Sequence, residues 1–190
     1  GHRIFRLTDQ PECLSRSLRY LRIDPGTGRP ELKRSTEEDL HRNLPLLEPD
    51  DDYWVTQRVT RGLDPSDRDV FGQSGPTVIV ECLPLPLRQR ATLYRDGIRV
   101  IVPSVRRAPP DTLSARTKTN NHLNVVLGDL EAKARDPEAW AILLDVNGNL
   151  AEGIGSNVFL VRQGAIYTPR EQFVLPGISR ETAIELAREL

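Results

Sequence analysis

The stretch AILLDVNGNLAEGIGSNVFLV, residues 141–161, decides the fold predicted for the second half of the chain. Its aliphatic runs are interrupted by NGN at 147–149 and by single glycines at 153 and 155, and Gly164 follows soon after. Asn-Gly pairs and single glycines between strand-forming residues are typical of tight turns between antiparallel strands. The sequence therefore predicts four short strands in an antiparallel meander.

Helical patterns flank this meander on both sides. Residues 120–135 carry apolar residues at helical spacing, which predicts a helix with one buried face. The predicted face consists of Leu123, Val126, Leu127, Leu130 and Ala134. Another helix is predicted to begin near Ser179, where Pro176 and Gly177 form the connector that precedes it.

The first half of the chain carries weaker patterns. Residues 3–7 predict a short strand, and residues 12–23 predict a helix with arginines on its outer side. Ser35 and Glu38 have the spacing of a capping box, which predicts a helix that continues to about Leu47. Three further strands are predicted, at residues 53–61, 77–82 and 98–104.

Composition limits the classes of partner. The chain has 26 basic and 27 acidic side chains, so no net field favours nucleic acid or an anionic membrane surface. Its longest apolar runs are strand-sized, far below the roughly 20 residues that cross a bilayer. Cys13 and Cys82 lie far apart and form no metal-binding pattern, which fits a reduced cytoplasmic protein without a metal. We expect small-molecule partners, no nucleic acid and no membrane.

The scarcity of lysine makes Lys118 a candidate for amine chemistry. Only Lys33, Lys118 and Lys133 are lysines, so arginine is the ordinary cation of this chain. An arginine stays protonated, whereas a lysine amine can lose its proton and attack a carbonyl carbon. Lys118 is therefore a candidate for a role that arginine cannot fill. The alternative is that it is an ordinary surface charge.

Three features of the second half form a set. Lys118 supplies an amine, Glu152 supplies a carboxylate directly before a glycine, and the helix near Ser179 presents unpaired amides at its positive end. Pyridoxal phosphate requires an amine for its aldehyde, an acid for its pyridine nitrogen and N–H groups for its phosphate. The same three features also have ordinary interpretations, as a surface charge, a turn residue and a connector. Spacing alone does not decide between a cofactor site and these ordinary roles.

Several segments share a pattern with a known family. They are KTNNHLNVVLGDLEA at 118–132, the opening stretch with its acid-Gly strand followed by Ser-Asn-x-Phe, IYTP at 166–169, LPGISRETAIELAREL at 175–190 and, more weakly, GHRIFRLTDQPECLSRSLRYLRI at 1–23 and VTRG at 59–62. Together they resemble the class IV, fold-type IV pyridoxal-phosphate enzymes. That family includes branched-chain aminotransferases, D-amino-acid aminotransferases and aminodeoxychorismate lyases.

The resemblance implies an α/β (α+β) fold with two domains, of the D-amino-acid-aminotransferase kind. Residues 1–104 would form a smaller N-terminal α/β sandwich, incomplete at its start. Residues 118–190 would form part of a larger C-terminal pseudo-barrel that binds the cofactor, incomplete at its end. Residues 105–117, with two adjacent prolines and no periodicity, are the predicted interdomain linker. Because the chain has no methionine and stops inside a helical pattern, we expect both ends to be cut.

Carried onto this sequence, the resemblance implies a role for each residue of the site. Lys118 would bind pyridoxal phosphate covalently through its amine and move a proton between substrate and cofactor. Glu152 would pair with the pyridine nitrogen, and Leu175 would pack under the ring. The backbone amides of Ile178 and Ser179 would bind the phosphate.

One departure from the family concerns the phosphate. The family has His-x-x-Arg-Leu in its first helix, where the arginine binds phosphate, whereas this sequence has QPECL at 10–14. Gln10 and Cys13 therefore stand in place of the histidine and the arginine. Arg16 lies one turn further along the predicted helix and is a candidate replacement cation. The alternative is that Arg16 is a solvated charge.

Two further positions bear on the substrate. In the D-amino-acid branch, the loop after VTRG binds the substrate carboxylate, and the corresponding loop here is LDPSDRDVFG at 63–72. Arg68 in this loop is the candidate carboxylate ligand, with pairing to a neighbouring aspartate as the alternative. Leu123 stands where branched-chain enzymes tend to have an aromatic residue, which disfavours that substrate class.

The resemblance implies a pyridoxal-phosphate aminotransferase that exchanges an amino group between an amino acid and a 2-oxo acid. Two alternatives stay open. An aminodeoxychorismate-type lyase would use the same lysine, and a degenerate, non-catalytic member is favoured by Cys13. The family also implies a homodimer.

Overall fold

The computed structural model describes residues 3–48, 51–62 and 75–190 of the chain. The chain divides into two compact units, residues 1–94 and residues 95–190. Helices and strands occur in both units, as the predicted α/β class requires. Among the described residues, the strands form three separate sheets and none of these closes into a barrel.

The first unit contains a two-stranded sheet and its surrounding helices. Its elements are α1 (Asp9–Leu21), α2 (Arg29–Asn43), a short 3-10 helix (Leu44–Leu46), β1 (Tyr53–Val59), β2 (Val78–Pro84) and α3 (Leu87–Asp96), whose last two residues belong to the second unit. Strands β1 and β2 pair antiparallel, with Tyr53 opposite Pro84. The strands predicted at 53–61 and 77–82 are confirmed, with small differences at their ends.

A polar contact joins α2 to the hairpin. Leu32, Thr36 and Leu40 are the buried residues of α2. The Thr36 hydroxyl donates to the carbonyl of Leu32 at 2.6 Å and accepts from Gln57 Nε2 at 2.6 Å. Because a buried hydroxyl without partners is costly, this pair of hydrogen bonds stabilises the packing of helix on sheet.

Two predictions for the first unit are wrong. Residues 3–7 form coil and turn instead of a strand, because the amides of Asp9 and Gln10 donate to the carbonyl of Arg6 and turn the chain into α1. Ser35 does not cap a helix, because α2 has already begun at Arg29, with a proline in its first turn.

The surroundings of Cys82 on β2 disfavour its thiolate form. Its Sγ donates to Asp39 Oδ2 at 3.2 Å, and burial, this hydrogen bond and the negative charge of Asp39 raise the pKa of the Cys82 thiol to about 11. Because the thiolate is the reactive form, the rate of alkylation by iodoacetamide is expected to rise about tenfold per pH unit. This rise should continue to a higher pH than for a thiol with an ordinary pKa. Mass spectrometry of the Cys82 peptide measures this rate, and a plateau below about pH 9 would contradict the prediction.

The second unit is built around a four-stranded sheet. Its elements are β3 (Val100–Ile101), α4 (Leu123–Arg135), β4 (Trp140–Leu144), β5 (Leu150–Gly153), β6 (Ser156–Asn157), β7 (Leu160–Arg162), β8 (Ala165–Tyr167) and α5 (Ile178–Glu189). The sheet order is β3-β4-β5-β6, with β3 parallel to β4 and the other pairs antiparallel. Strands β7 and β8 form a separate hairpin. The predicted meander and the helix near Ser179 are confirmed, although the third predicted strand divides into β6 and β7.

The turn between β4 and β5 follows from local side-chain chemistry. Asp145 is buried, and its Oδ1 accepts from the amides of Asn147 and Asn149 at 2.8 and 2.9 Å. Gly148 has a φ of 84°, which a glycine adopts without steric cost. This turn directs β5 back along β4.

The buried face of α4 differs from the predicted one. Leu123, Leu127 and Leu130 are 64%, 47% and 60% exposed. The buried residues are instead Val125, Gly128 and Ala132. A Cβ on Gly128 would lie 2.9 Å from Leu143 Cδ1, so the absence of a side chain there lets the helix lie close to the sheet. The prediction failed because small residues, and not the leucines, face the strand.

The predicted linker, residues 105–117, lies within the second unit. Arg106 forms a parallel bridge with Leu144, and the amide of Arg107 donates to the carbonyl of Leu144 at 2.8 Å. The division of the whole protein into domains stays a prediction. No helix in residues 3–48, 51–62 and 75–190 has the length and apolar character needed to span a bilayer.

Candidate functional site

Glu152 on β5 is a buried carboxylate with both oxygens engaged. It is 6% exposed. Its Oε1 accepts from Arg107 Nε at 2.8 Å, and its Oε2 accepts from the backbone amide of Leu175 at 2.8 Å. Because an ionised carboxylate has about four lone-pair sites, each oxygen retains acceptor capacity for a further donor.

Packing behind β5 brings Leu175 to Glu152. Ala151, Phe173 and Val174 form a small buried cluster. This cluster fixes the segment before α5 against the strand, so the next amide, that of Leu175, meets the carboxylate. The structure therefore brings together two residues that sequence reasoning had assigned to one site.

Arg107 is a site residue that sequence reasoning missed. Its side chain is 13% exposed, and its Nη1 donates to Asn124 Oδ1 at 3.2 Å. Asn124 also accepts from the amide of Ala108 at 2.9 Å and donates to the carbonyl of Arg106 at 2.8 Å. Asn124 thus holds the segment that carries Arg107, and Arg107 holds Glu152. The sequence offered no signal beyond two adjacent arginines.

The helix α5 begins three residues beyond Leu175, which contacts Glu152. Gly177 is the N-cap residue, with extended φ and ψ of −71° and 142°, and no side chain caps the helix there. The first amides of a helix, here including Ile178 and Ser179, have no acceptor within it. Such amides at the positive end of a helix dipole suit an anion.

Arg180 anchors the first turn of α5. It is buried, and its Nη2 donates to the carbonyl of Pro169 at 3.0 Å. Its Nη1 lies 3.5 Å from the carboxylate of Glu171. These contacts attach the first turn of the helix to the loop that follows β8.

Lys118 is an exposed residue of the loop that precedes α4. The ends of this loop meet where the amide of Ala108 donates to Asn124 Oδ1. Since Asn124 also binds Arg107, the loop that carries Lys118 is attached to the residue that holds Glu152. The contact of Lys118 with a cofactor stays a prediction.

The remaining predicted site residues, Arg16 and Arg68, lie in the first half of the sequence. Arg16 is an exposed residue of α1, and Cys13 lies one turn before it. The phosphate role of Arg16 stays a prediction. Arg68 lies outside the described residues. Among the residues that the structure describes, no group of three or more His, Cys, Asp and Glu side chains has an arrangement that would hold a metal ion.

The fold and the site define an α/β protein with a buried carboxylate that accepts from the segment directly before a helix N-terminus. The chain belongs to the amino-transferase class IV family, which it matches over residues 1–190. The family predicted from the sequence motifs is therefore confirmed.

Two curated relatives carry names that describe a narrower group. The branched-chain-amino-acid aminotransferase of Escherichia coli (strain K12) is 38% identical over 115 residues, which are 60% of this chain and 37% of the relative. Branched-chain-amino-acid aminotransferase-like protein 1 of Arabidopsis thaliana is 29% identical over 188 residues, which are 97% of this chain and 32% of the relative. The chain spans 32% to 46% of the length of the curated relatives it matches.

Solved structures confirm the predicted fold. The branched-chain amino acid aminotransferase from Thermobaculum terrenum, in its PLP-form, superposes with a TM-score of 0.80 and 27% identity, covering 97% of this chain and 58% of that chain. The branched-chain aminotransferase from Thermoproteus uzoniensis with norvaline gives a TM-score of 0.79 and 29% identity, covering 97% of this chain and 60% of that chain. Each covers nearly the whole chain, so the similarity extends over both halves.

Proposed function

We propose that the full-length protein is a pyridoxal-phosphate-dependent aminotransferase that moves an amino group between an amino acid and a 2-oxo acid. The observation that carries the proposal is the buried Glu152, held by Arg107 and the Leu175 amide directly before the N-terminus of α5. Membership of the class IV family supports the reaction type.

The residues present fit this cofactor. When bound, pyridoxal phosphate supplies an aldehyde and a protonated ring that accepts electrons. Glu152 keeps the proton on the ring nitrogen, for which its free lone pairs have capacity. The amides of Ile178 and Ser179 bind the phosphate, and Leu175 packs against the ring.

Lys118 has two tasks in the proposed reaction. Its amine would bind the cofactor through the aldehyde carbon, and the same amine would move the proton at the substrate Cα. Arg16 supplies the phosphate cation, because Cys13 stands where the family has its phosphate-binding arginine. Arg68 binds the substrate carboxylate. Substitution of each of these three residues tests its proposed role.

Branched-chain amino acids are the proposed substrate class. The names of the relatives in Escherichia coli and Arabidopsis thaliana favour this class, and the Thermoproteus uzoniensis structure contains norvaline, an unbranched analogue of similar size. The proposal goes against the expectation drawn from Leu123. We further propose, from the resemblance alone, that the protein is a cytoplasmic homodimer.

The test uses the full-length protein with pyridoxal phosphate, leucine and 2-oxoglutarate. The expected result is visible absorbance of the bound cofactor and formation of glutamate that depends on both substrates. Release of pyruvate from aminodeoxychorismate without an acceptor would assign the protein to the lyases instead. Absence of bound cofactor in excess pyridoxal phosphate would support a non-catalytic member.

A further inference from the structure

Asn157 and Glu152 bind the two main-chain groups of the same residue. The pairing of β5 with β6 places Asn157 directly opposite Glu152. Glu152 Oε2 accepts from the amide of Leu175 at 2.8 Å, and Asn157 Nδ2 donates to the carbonyl of Leu175 at 2.9 Å. Directly opposite residues of an antiparallel pair project to one face, so both side chains reach the same segment.

Asn157 also lies against the residue that opens α5. A Cβ on Gly177 would lie 2.4 Å from Asn157 Oδ1, so only glycine leaves room for the amide there. The amide of Gly177 donates to the same Leu175 carbonyl, at 2.8 Å. Leu175 precedes a proline, which restricts it to extended conformations. Residues 175–177, directly before α5, are therefore held by Glu152 of β5 and Asn157 of β6.

We propose that Asn157 is a positioning residue that sets the helix α5 amides at the correct place for a phosphate while Glu152 holds the other end of the same ligand. This inference rests on the proposed function. Asn157 acts through Leu175 and Gly177, and Glu152 keeps its contact with Arg107 whether or not Asn157 is present. Loss of Asn157 therefore affects the phosphate more than the ring.

The test compares two ligands that differ by the phosphate alone. The affinity of the full-length protein for pyridoxal phosphate and for pyridoxal is measured by equilibrium dialysis in the wild type and in Asn157→Ala. The expected result is that Asn157→Ala weakens pyridoxal phosphate binding about tenfold, the effect of about one hydrogen bond, while pyridoxal binding stays within about twofold. A purely structural role would lower both affinities equally.

Two further variants keep the result decisive. Asn157→Leu fills the volume without a donor and should show the same selective loss. Asn147→Ala, a change of the same kind in the β4–β5 turn, should leave the ratio of the two affinities unchanged. An equal loss for both ligands, or no loss in either Asn157 variant, would overturn the inference while leaving the proposed function intact. A wild type that binds neither ligand would overturn both.

Discussion

Replacing Lys118 with arginine is expected to abolish transamination by the full-length protein. Arginine keeps the positive charge and similar length, but its guanidinium does not lose a proton and cannot attack an aldehyde. Loss of the group that transfers the Cα proton alone reduces turnover by about 10²- to 10⁴-fold, and loss of the covalent link adds to this. Steady-state kcat and the visible absorbance of bound cofactor both measure the effect.

The other two lysines provide the matched controls. Lys133 lies 2.6 Å from Asp129 on α4, and Lys33 lies 4.0 Å from Glu37 on α2, and all four side chains take part in ion pairs that arginine can maintain. Lys133→Arg and Lys33→Arg are therefore expected to keep near-normal kcat and cofactor absorbance. Turnover by Lys118→Arg comparable to either control would refute the assignment of Lys118.

The change Glu152→Gln is expected to lower both stability and turnover. Each oxygen of Glu152 accepts from a donor, Arg107 Nε on one side and the Leu175 amide on the other. A glutamine amide must therefore direct its own NH₂ at one of these donors, whichever way it is oriented. The nearly buried Arg107 also loses its counter-charge, which typically costs about 3–5 kcal/mol of unfolding free energy. Urea denaturation of the full-length protein measures this cost.

A double substitution separates the two effects. Glu152→Leu with Arg107→Met removes both charges, so unfolding free energy should recover relative to Glu152→Gln, since paired removal of a buried ion pair is often neutral. Turnover should not recover, because no carboxylate remains to hold the proton on the ring. The exposed ion pair of Lys33 and Glu37 provides the control. Glu37→Gln should change the unfolding free energy by roughly 0–1 kcal/mol. Recovery of turnover in the double variant would contradict the role of Glu152.

The β4–β5 turn and the start of α5 were predictable because their chemistry is local. Asp145 and Asn149 lie within the turn that they stabilise, and Gly177 lies directly before the helix that it caps. Residues four or fewer apart decide these features, and the sequence displays such residues together. The predicted positions of the meander and of α5 were accordingly correct.

Features that depend on distant contacts were predicted less well. Arg107 contacts Glu152 across 45 positions, and the local sequence shows only two adjacent arginines. The prediction of the buried face of α4 was wrong because the helix has two apolar stripes. Only the fit of Gly128 against Leu143 decides which of them is buried. Residues 3–7 have strand-like composition, but they form the entry to α1.

The most direct test of the central claim is to map where pyridoxal phosphate becomes attached. The full-length protein is incubated with the cofactor, reduced with borohydride and digested, and the modified peptide is identified by mass spectrometry. We predict a pyridoxyl group on Lys118, with Lys33 and Lys133 unmodified. A pyridoxyl group on another lysine, with Lys118 unmodified, would contradict the account.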